Sequence, residues 1–203
     1  MKIICVGRNY ADHIEELKNE RPTAPVIFIK PDTALLRPGE DFYLPEFSKD
    51  VHHEIEVVVK INRMGKFIEE KFAHKYYDEV ALGIDFTARD LQTELKTKGL
   101  PWELAKGFNG SAPVSDFVPK STLGDLQQLD FSLEVNGAIR QKGNTSMMLY
   151  SIDYLIAFVS RYFTLKTGDL IFTGTPKGVA AVKEGDELVG KLGGKDMLRL
   201  SVR

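Results

Sequence analysis

Glu54 and Glu56, in the stretch His52-His53-Glu54-Ile55-Glu56-Val57-Val58-Val59, put two carboxylates into a run that otherwise reads as a buried strand. Positions two apart share a face of an extended chain, so Glu54 and Glu56 project together with Val58, while Ile55, Val57 and Val59 face a core on the other side. Two ionised carboxylates about 6–7 Å apart along a strand repel each other, more strongly away from water, and a divalent cation relieves the repulsion. A hard ion such as Mg²⁺ takes oxygen ligands and keeps waters that a chelating substrate can replace. An isolated E-x-E is more often a solvated strand face, so the reading needs a further ligand. Asp85, at the end of the apolar run Ala81-Leu82-Gly83-Ile84, supplies the natural third oxygen donor.

His13 and Glu16 form a second constellation. Three residues apart on a helix they share a face, close enough for the carboxylate to orient and polarise the imidazole, although an exposed charged turn has the same spacing. Arg89 and Gln92 follow Asp85 across a strand-to-helix junction, where side chains stand at the rim of a sheet, facing either a common pocket or solvent. Lys106 lies in the apolar company of Trp102 to Phe108 and is either a snorkelling stem or an ammonium that binds a carboxylate.

The elements that must position these groups are short. Lys2 to Val6 and Val26 to Ile29 read as buried strands, Asp12 to Lys18 as about two helical turns, and Lys18 to Pro25 as a polar, proline-punctuated loop, so that 12–25 is expected to act as a lid. Phe42 to Leu44 follows a turn as a further strand, and Glu69 to Glu79 has weak helical periodicity. Thr87-Ala88-Arg89-Asp90 has the form of a helix start, with Gly99 as its stop. Asn136-Gly137 sits inside an alternating run from Phe131 to Arg140, the signature of a hairpin. Ser151 can cap a helix to Tyr162 whose Leu155, Phe158, Val159 and Tyr162 form a core stripe. Leu170 to Thr173 is a strand leading into Gly174-Thr175-Pro176-Lys177-Gly178-Val179, whose glycines permit close backbone approach by a ligand or make an ordinary turn. This loop lacks the residue order of a phosphate-binding P-loop.

The 203 residues, 43% of them hydrophobic, suffice for one substantial core, and a single domain over 1–203 is expected. Lys plus Arg number 27 against 29 for Asp plus Glu, a net charge of -2, so no basic field points to nucleic acid or an anionic membrane. The expected partner is a small molecule. Cys5 is the only cysteine, in an apolar run, which excludes a disulfide within the chain and points to a reducing, cytoplasmic setting. No apolar run approaches the length of a membrane span.

Together these segments resemble the fumarylacetoacetate hydrolase family, in particular its short acylpyruvase-like branch. The resemblance rests on Gly7-Arg8-Asn9-Tyr10 with His13 and Glu16, on His53-Glu54-Ile55-Glu56, on Asp85 to Asp90, on Lys106 and on Thr173 to Val179. It implies an α+β, predominantly β fold, a mixed-sheet roll or sandwich with a few short helices, usually as a homodimer. It further implies Mg²⁺ or Mn²⁺ on Glu54, Glu56 and Asp85, a catalytic lid dyad of His13 and Glu16 with Lys106 as a further catalytic residue, and substrate contacts from Arg8, Arg89, Gln92, Lys106 and Thr175. The implied substrate is a 2-oxo acid, cleaved as an acylpyruvate to pyruvate and a carboxylic acid through an enolate. The same enolate would serve oxaloacetate decarboxylation, keto–enol tautomerisation or dienoate isomerisation. A non-catalytic cation- or ligand-binding module would need the oxygen cage but no acid–base pair, so His13 and Glu16 favour an enzyme.

Overall fold

The computed structural model describes residues 1–17 and 20–203. Its central element is a six-stranded mixed sheet in the order Val26–Lys30, Ile3–Gly7, Leu170–Phe172, Ile55–Ile61, Tyr77–Ile84, Val118–Pro119. Only the Ile3–Gly7 and Leu170–Phe172 pair is parallel. A second, antiparallel sheet of four strands runs in the order Ala138–Asn144, Asp130–Val135, Glu187–Leu192, Lys195–Ser201. Among the described residues two small sheets complete the β structure: Val51–His53 between Ala180–Ala181 and Thr87–Ala88, and Leu35–Leu36 beside Ala112–Pro113.

The alternation expected for the glutamate strand is present. Ile55, Val57, Val59 and Ile61 pack with Leu133, Leu188 and Leu198 of the four-stranded sheet into the main core, while Val58 joins Cys5, Ala81 and Phe172 on the opposite side. Glu56 lies on the Val58 side. The strand is interrupted at Glu54, between Val51–His53 and Ile55–Ile61, where the Glu54 carbonyl accepts from Asp85 N at 2.8 Å. That bond aligns the third acidic residue with the first two.

Five local expectations change. Phe42 makes only an isolated bridge to Val202 rather than a strand. The 69–79 segment yields a single turn, Glu70–Ala73, before the strand starts at Tyr77. Thr87 does not cap a helix: Thr87–Ala88 pairs with Val51–His53, and the helix is Arg89–Thr97 with no side-chain cap bond. The Asp90 carboxylate is taken instead by Ser48 Oγ, Lys49 N and Leu91 N. Gly99, at φ 65°, ends this helix as expected. In the helix Ile152–Tyr162, capped by Ser151, the buried stripe is Ile152, Leu155, Ile156 and Val159, while Tyr162 is 65% exposed. The Asn136-Gly137 hairpin is present with both residues at positive φ, but the register shifts between the Glu134–Ile139 and Leu133–Gln141 pairs, so Gln141 is buried in place of Arg140.

Candidate metal centre

Glu54, Glu56 and Asp85 are buried, and one carboxylate oxygen from each lies within 4.8 Å of the other two. Among the described residues this is the one group of three acidic, histidine or cysteine side chains so placed. Antiparallel pairing of Ile55–Ile61 with Tyr77–Ile84 opposes Glu56 to Gly83, which brings the end of the second strand, and hence Asp85, beside the E-x-E pair.

The electrostatics divide the three carboxyls. Burial alone would raise Glu54, but the Lys106 ammonium and the Arg89 guanidinium outweigh it and hold its carboxyl well below the usual range. Burial and the charge of Asp85 push Glu56 well above that range, opposed only in part by the bond from Gly174 N to Glu56 Oε2 at 2.7 Å. Three buried oxygen donors, one of which resists ionisation because of burial and the charge of Asp85, are a donor set that fits a hard divalent ion.

Lys106 projects from the short helix Glu103–Lys106 with its Nζ 2.9 Å from Glu54 Oε2 and 2.6 Å from Asp85 Oδ2. The ammonium thus lies on the acidic oxygens, and the charges of Asp85 and Glu54 raise its pKa against the effect of burial. Arg89 bonds Glu54 Oε1 and, at 2.7 Å, Gln92 Oε1, so the junction after Asp85 is tied to the acidic cluster. His13 is buried, its Nδ1 3.4 Å from Glu16 Oε2. Burial lowers the His13 pKa more than the Glu54 and Glu16 charges raise it, so the imidazole is neutral near pH 7.

Glu16 also accepts from Gly178 N at 3.0 and 3.1 Å, and Lys177 Nζ pairs with Asp12 at 3.0 Å, so the helix Ala11–Glu16 is seated on the 174–178 loop. Of the expected lid segment 12–25, Lys18 and Asn19 lie outside the described residues. The loop's glycines serve approach by protein. A Cβ on Gly174 would lie 2.7 Å from Asn9 Cβ, and one on Gly178 would lie 2.2 Å from the Arg140 carbonyl oxygen. Asn9 ties this end together, donating to Thr173 O and Tyr150 O and accepting from Tyr150 N. Thr175 is buried, its hydroxyl donating to Ile55 O at 2.8 Å, and Arg8 holds a left-handed φ of 59° at the start of the same corner.

Lys30 was not anticipated as part of the site. Fully buried, it donates to Phe86 O, Lys106 O and Ser111 and lies 2.8 Å from Asp85 Oδ1, to which it is not aligned for a hydrogen bond. Its Nζ therefore acts on Asp85 as a charge and leaves that oxygen's lone pairs open. The available signal was a lysine in phase with Phe28 at the end of an uncharged strand, on the face where the Lys106 ammonium sits 5.0 Å from the Phe28 ring centre. Gln141, in the hairpin, was missed because the bulge hides its inward phase.

The model of the fumarylacetoacetate (FAA) hydrolase C-terminal family matches residues 2–203. The chain belongs to this family. Among family relatives, the oxaloacetate tautomerase FAHD1, mitochondrial, of Rattus norvegicus is 48% identical over 200 residues, 98% of this chain and 90% of the relative. The oxaloacetate decarboxylase, mitochondrial, of Dictyostelium discoideum is 42% identical over 196 residues, 96% of this chain and 90% of the relative. A fumarylpyruvate hydrolase from Pseudomonas aeruginosa, whose crystal structure is a complex with Mn²⁺ and pyruvate, superposes with a TM-score of 0.95 at 35% identity, covering 100% of this chain and 89% of that one. Fold class and family membership thus agree with the sequence reading. The expectation of a cytoplasmic protein does not stand, since the relatives of rat, mouse, human and Dictyostelium are named mitochondrial. One buried thiol and a modest net charge suit any reducing aqueous compartment, so those features never separated cytosol from organelle. No helix among the described residues is long and apolar enough to cross a membrane.

Proposed function

We propose that this chain converts short 2-oxo dicarboxylic acids through an enolate, with keto–enol tautomerisation of oxaloacetate as its first activity. Support comes chiefly from one observation: a buried imidazole held neutral, His13, lies within electrostatic reach of Glu54 in a cluster of three buried carboxylates. Glu54, Glu56 and Asp85 would hold Mg²⁺ or Mn²⁺, which supplies Lewis-acid polarisation of a 2-oxo carbonyl and its carboxylate. His13 donates its Nδ1 proton to Glu16, which leaves Nε2 as the base. Nε2 takes a proton from C3, the C–H electron pair forms the C2–C3 double bond as the carbonyl pair moves to the 2-oxo oxygen, and the imidazolium returns its proton to that oxygen; the reverse steps regenerate the ketone. Glu16 stabilises the imidazolium formed between the two transfers. Lys106 and Arg89 place positive charge where a substrate carboxylate and the developing oxyanion would lie.

Hydrolysis of acylpyruvates is the second reading, supported by the seating of His13 and Glu16 over the 174–178 loop, where the same Nε2 would activate water toward the distal carbonyl. The reading includes a homodimer, supported by the half-buried apolar face of the sheet-edge strand Val26–Lys30. The test is to add the Mg²⁺-loaded protein to the enol of oxaloacetate and follow enol absorbance together with pyruvate and CO₂. Accelerated enol loss with neither product supports tautomerisation; unaccelerated loss sinks it, and a parallel assay with acylpyruvates reads the second activity. Sedimentation of the same sample reports the dimer.

A further inference from the structure

Gln141 stands in the four-stranded sheet, was not among the site residues expected from the sequence, and its side chain is fully buried. Its carboxamide makes four hydrogen bonds. Oε1 accepts from Ile55 N at 3.0 Å and from His53 Nδ1 at 2.9 Å, and Nε2 donates to Thr175 Oγ1 and Pro176 O, each at 2.8 Å. Two of these partners fix its orientation: a backbone N–H can only donate and a carbonyl can only accept, so the amide oxygen and nitrogen cannot be exchanged. His53 must therefore carry its proton on Nδ1. Thr175 Oγ1 donates onward to Ile55 O at 2.8 Å, which closes a ring through Gln141, Ile55 and Thr175.

The position of that ring matters. Ile55 is the residue between Glu54 and Glu56, immediately after the strand break, and Thr175 follows Gly174, whose N–H meets Glu56 Oε2. A single side chain from a neighbouring sheet thus sets the separation between the strand that carries the acidic cluster and the loop beside it. Packing does not call for a glutamine here. An apolar side chain of similar volume would fill the space but strand two N–H donors and a carbonyl in a dry interior.

We propose that Gln141 is a positioning residue, holding the Gly174–Pro176 loop in register with Glu54 and Glu56 so that a 2-oxo acid meets both in one geometry. The proposal rests on the functional reading above for its choice of ligand. Gln141→Glu separates the two halves of the clip. The carboxylate still accepts from His53 and Ile55, so the strand side is kept, but Pro176 O loses its donor and the Thr175 hydroxyl must abandon Ile55 O to meet the new oxygen.

The experiment measures oxalate and Mg²⁺ binding to parent, Gln141→Glu, Thr175→Val and the double variant by calorimetry. Gln141→Glu should weaken oxalate binding about tenfold with Mg²⁺ affinity within about threefold of the parent, and in the Thr175→Val background its effect on oxalate should shrink to under about threefold. Unchanged oxalate binding, a matching loss of Mg²⁺ affinity, or effects that multiply fully in the double variant would each overturn the proposal. Should Gln141→Glu not be recovered folded, the parent decides. The side-chain amide protons of Gln141, observed by ¹⁵N NMR on the Mg²⁺ form, should exchange slowly and shift when oxalate is added; fast exchange or no shift rejects the role. Neither readout uses turnover, so a parent that leaves the oxaloacetate enol untouched would defeat the functional reading and leave this test intact.

Discussion

Glu56 carries the sharpest conflict in the site, a buried carboxyl beside two others, relieved only in part by one backbone N–H and the Lys106 charge. Glu56→Gln should therefore abolish activity and remove the thermal stabilisation that Mg²⁺ gives the parent, while the metal-free variant melts no lower than the metal-free parent. Retained Mg²⁺-dependent stabilisation would remove Glu56 from the cage. The raised pKa gives a sign to test as well. The native state holds this proton more tightly than the unfolded chain, so its contribution is present below the ordinary value of 4.5 and lost as pH rises toward the native pKa. Metal-free parent should lose stability over that window and Glu56→Gln should not. Lys106 is the complementary case. Its buried ammonium competes with a cation for Glu54 and Asp85, so Lys106→Met should bind Mg²⁺ at least as well as the parent and oxalate about tenfold more weakly or worse. Without metal it should be destabilised by about 3–5 kcal/mol, the usual result of removing one partner of a buried ion pair. A variant that binds oxalate like the parent would make Lys106 structural.

At the scale of elements, the helix Ala11–Glu16 is too short to persist alone and is held by what it touches. Its anchors are the Gly178 N–H on Glu16, the exposed pair of Lys177 with Asp12, and the buried side chains of His13 and Ile14. Few anchors mean a low local opening energy, which is the property a lid needs. Hydrogen exchange of the described amides in 11–25 should be fast in the Mg²⁺ form and slow once oxalate is added; equal protection in both would make the segment a fixed wall. Gly178→Ala tests the anchor. At φ 99° with the new Cβ 2.2 Å from Arg140 O, the loop must move, a strain of about 1–3 kcal/mol, and oxalate-induced protection of the helix should be lost while Mg²⁺ binding persists. Because burial holds the His13 pKa below 6.5, the acid limb of the rate profile should fall below pH 6.5, and a limb centred above that value would assign the base elsewhere.

On the scale of the whole molecule, the acidic cluster is where the sheets meet. Ile55 packs against Gly190 of the four-stranded sheet, Gln141 reaches from that sheet to the strand break, and the 174–178 loop follows the parallel strand Leu170–Phe172. Loss of the ion should be felt globally. A divalent ion on the cluster at about 100 times its Kd would contribute about 2.7 kcal/mol. For a chain of this size chelation should lower Tm by about 5–10 °C in one cooperative transition. An unchanged Tm would mean that the cluster holds no ion in the native protein.

The sequence by itself determined the parts of this protein whose signal is local. The E-x-E alternation, the Asn136-Gly137 turn, the Ser151 cap and the Gly99 stop are each written in a few consecutive residues, because backbone geometry and period fix them before any packing occurs. The acidic donors and the His13/Glu16 spacing were readable for the same reason. Where local signals failed, a distant partner had taken the residue: pairing with Val51–His53 turned Thr87 from a cap into a strand, and the bulge after Leu133 turned Gln141 inward. Only the tertiary structure decided that Lys106 and Lys30 lie on the acidic oxygens, that Glu16 is held by Gly178, and that Gln141 joins strand to loop. Those relations span from 21 to 162 residues of chain. No sequence period reaches across such distances, since what enforces them is the cost of leaving a buried charge or amide unpaired once the sheets have closed.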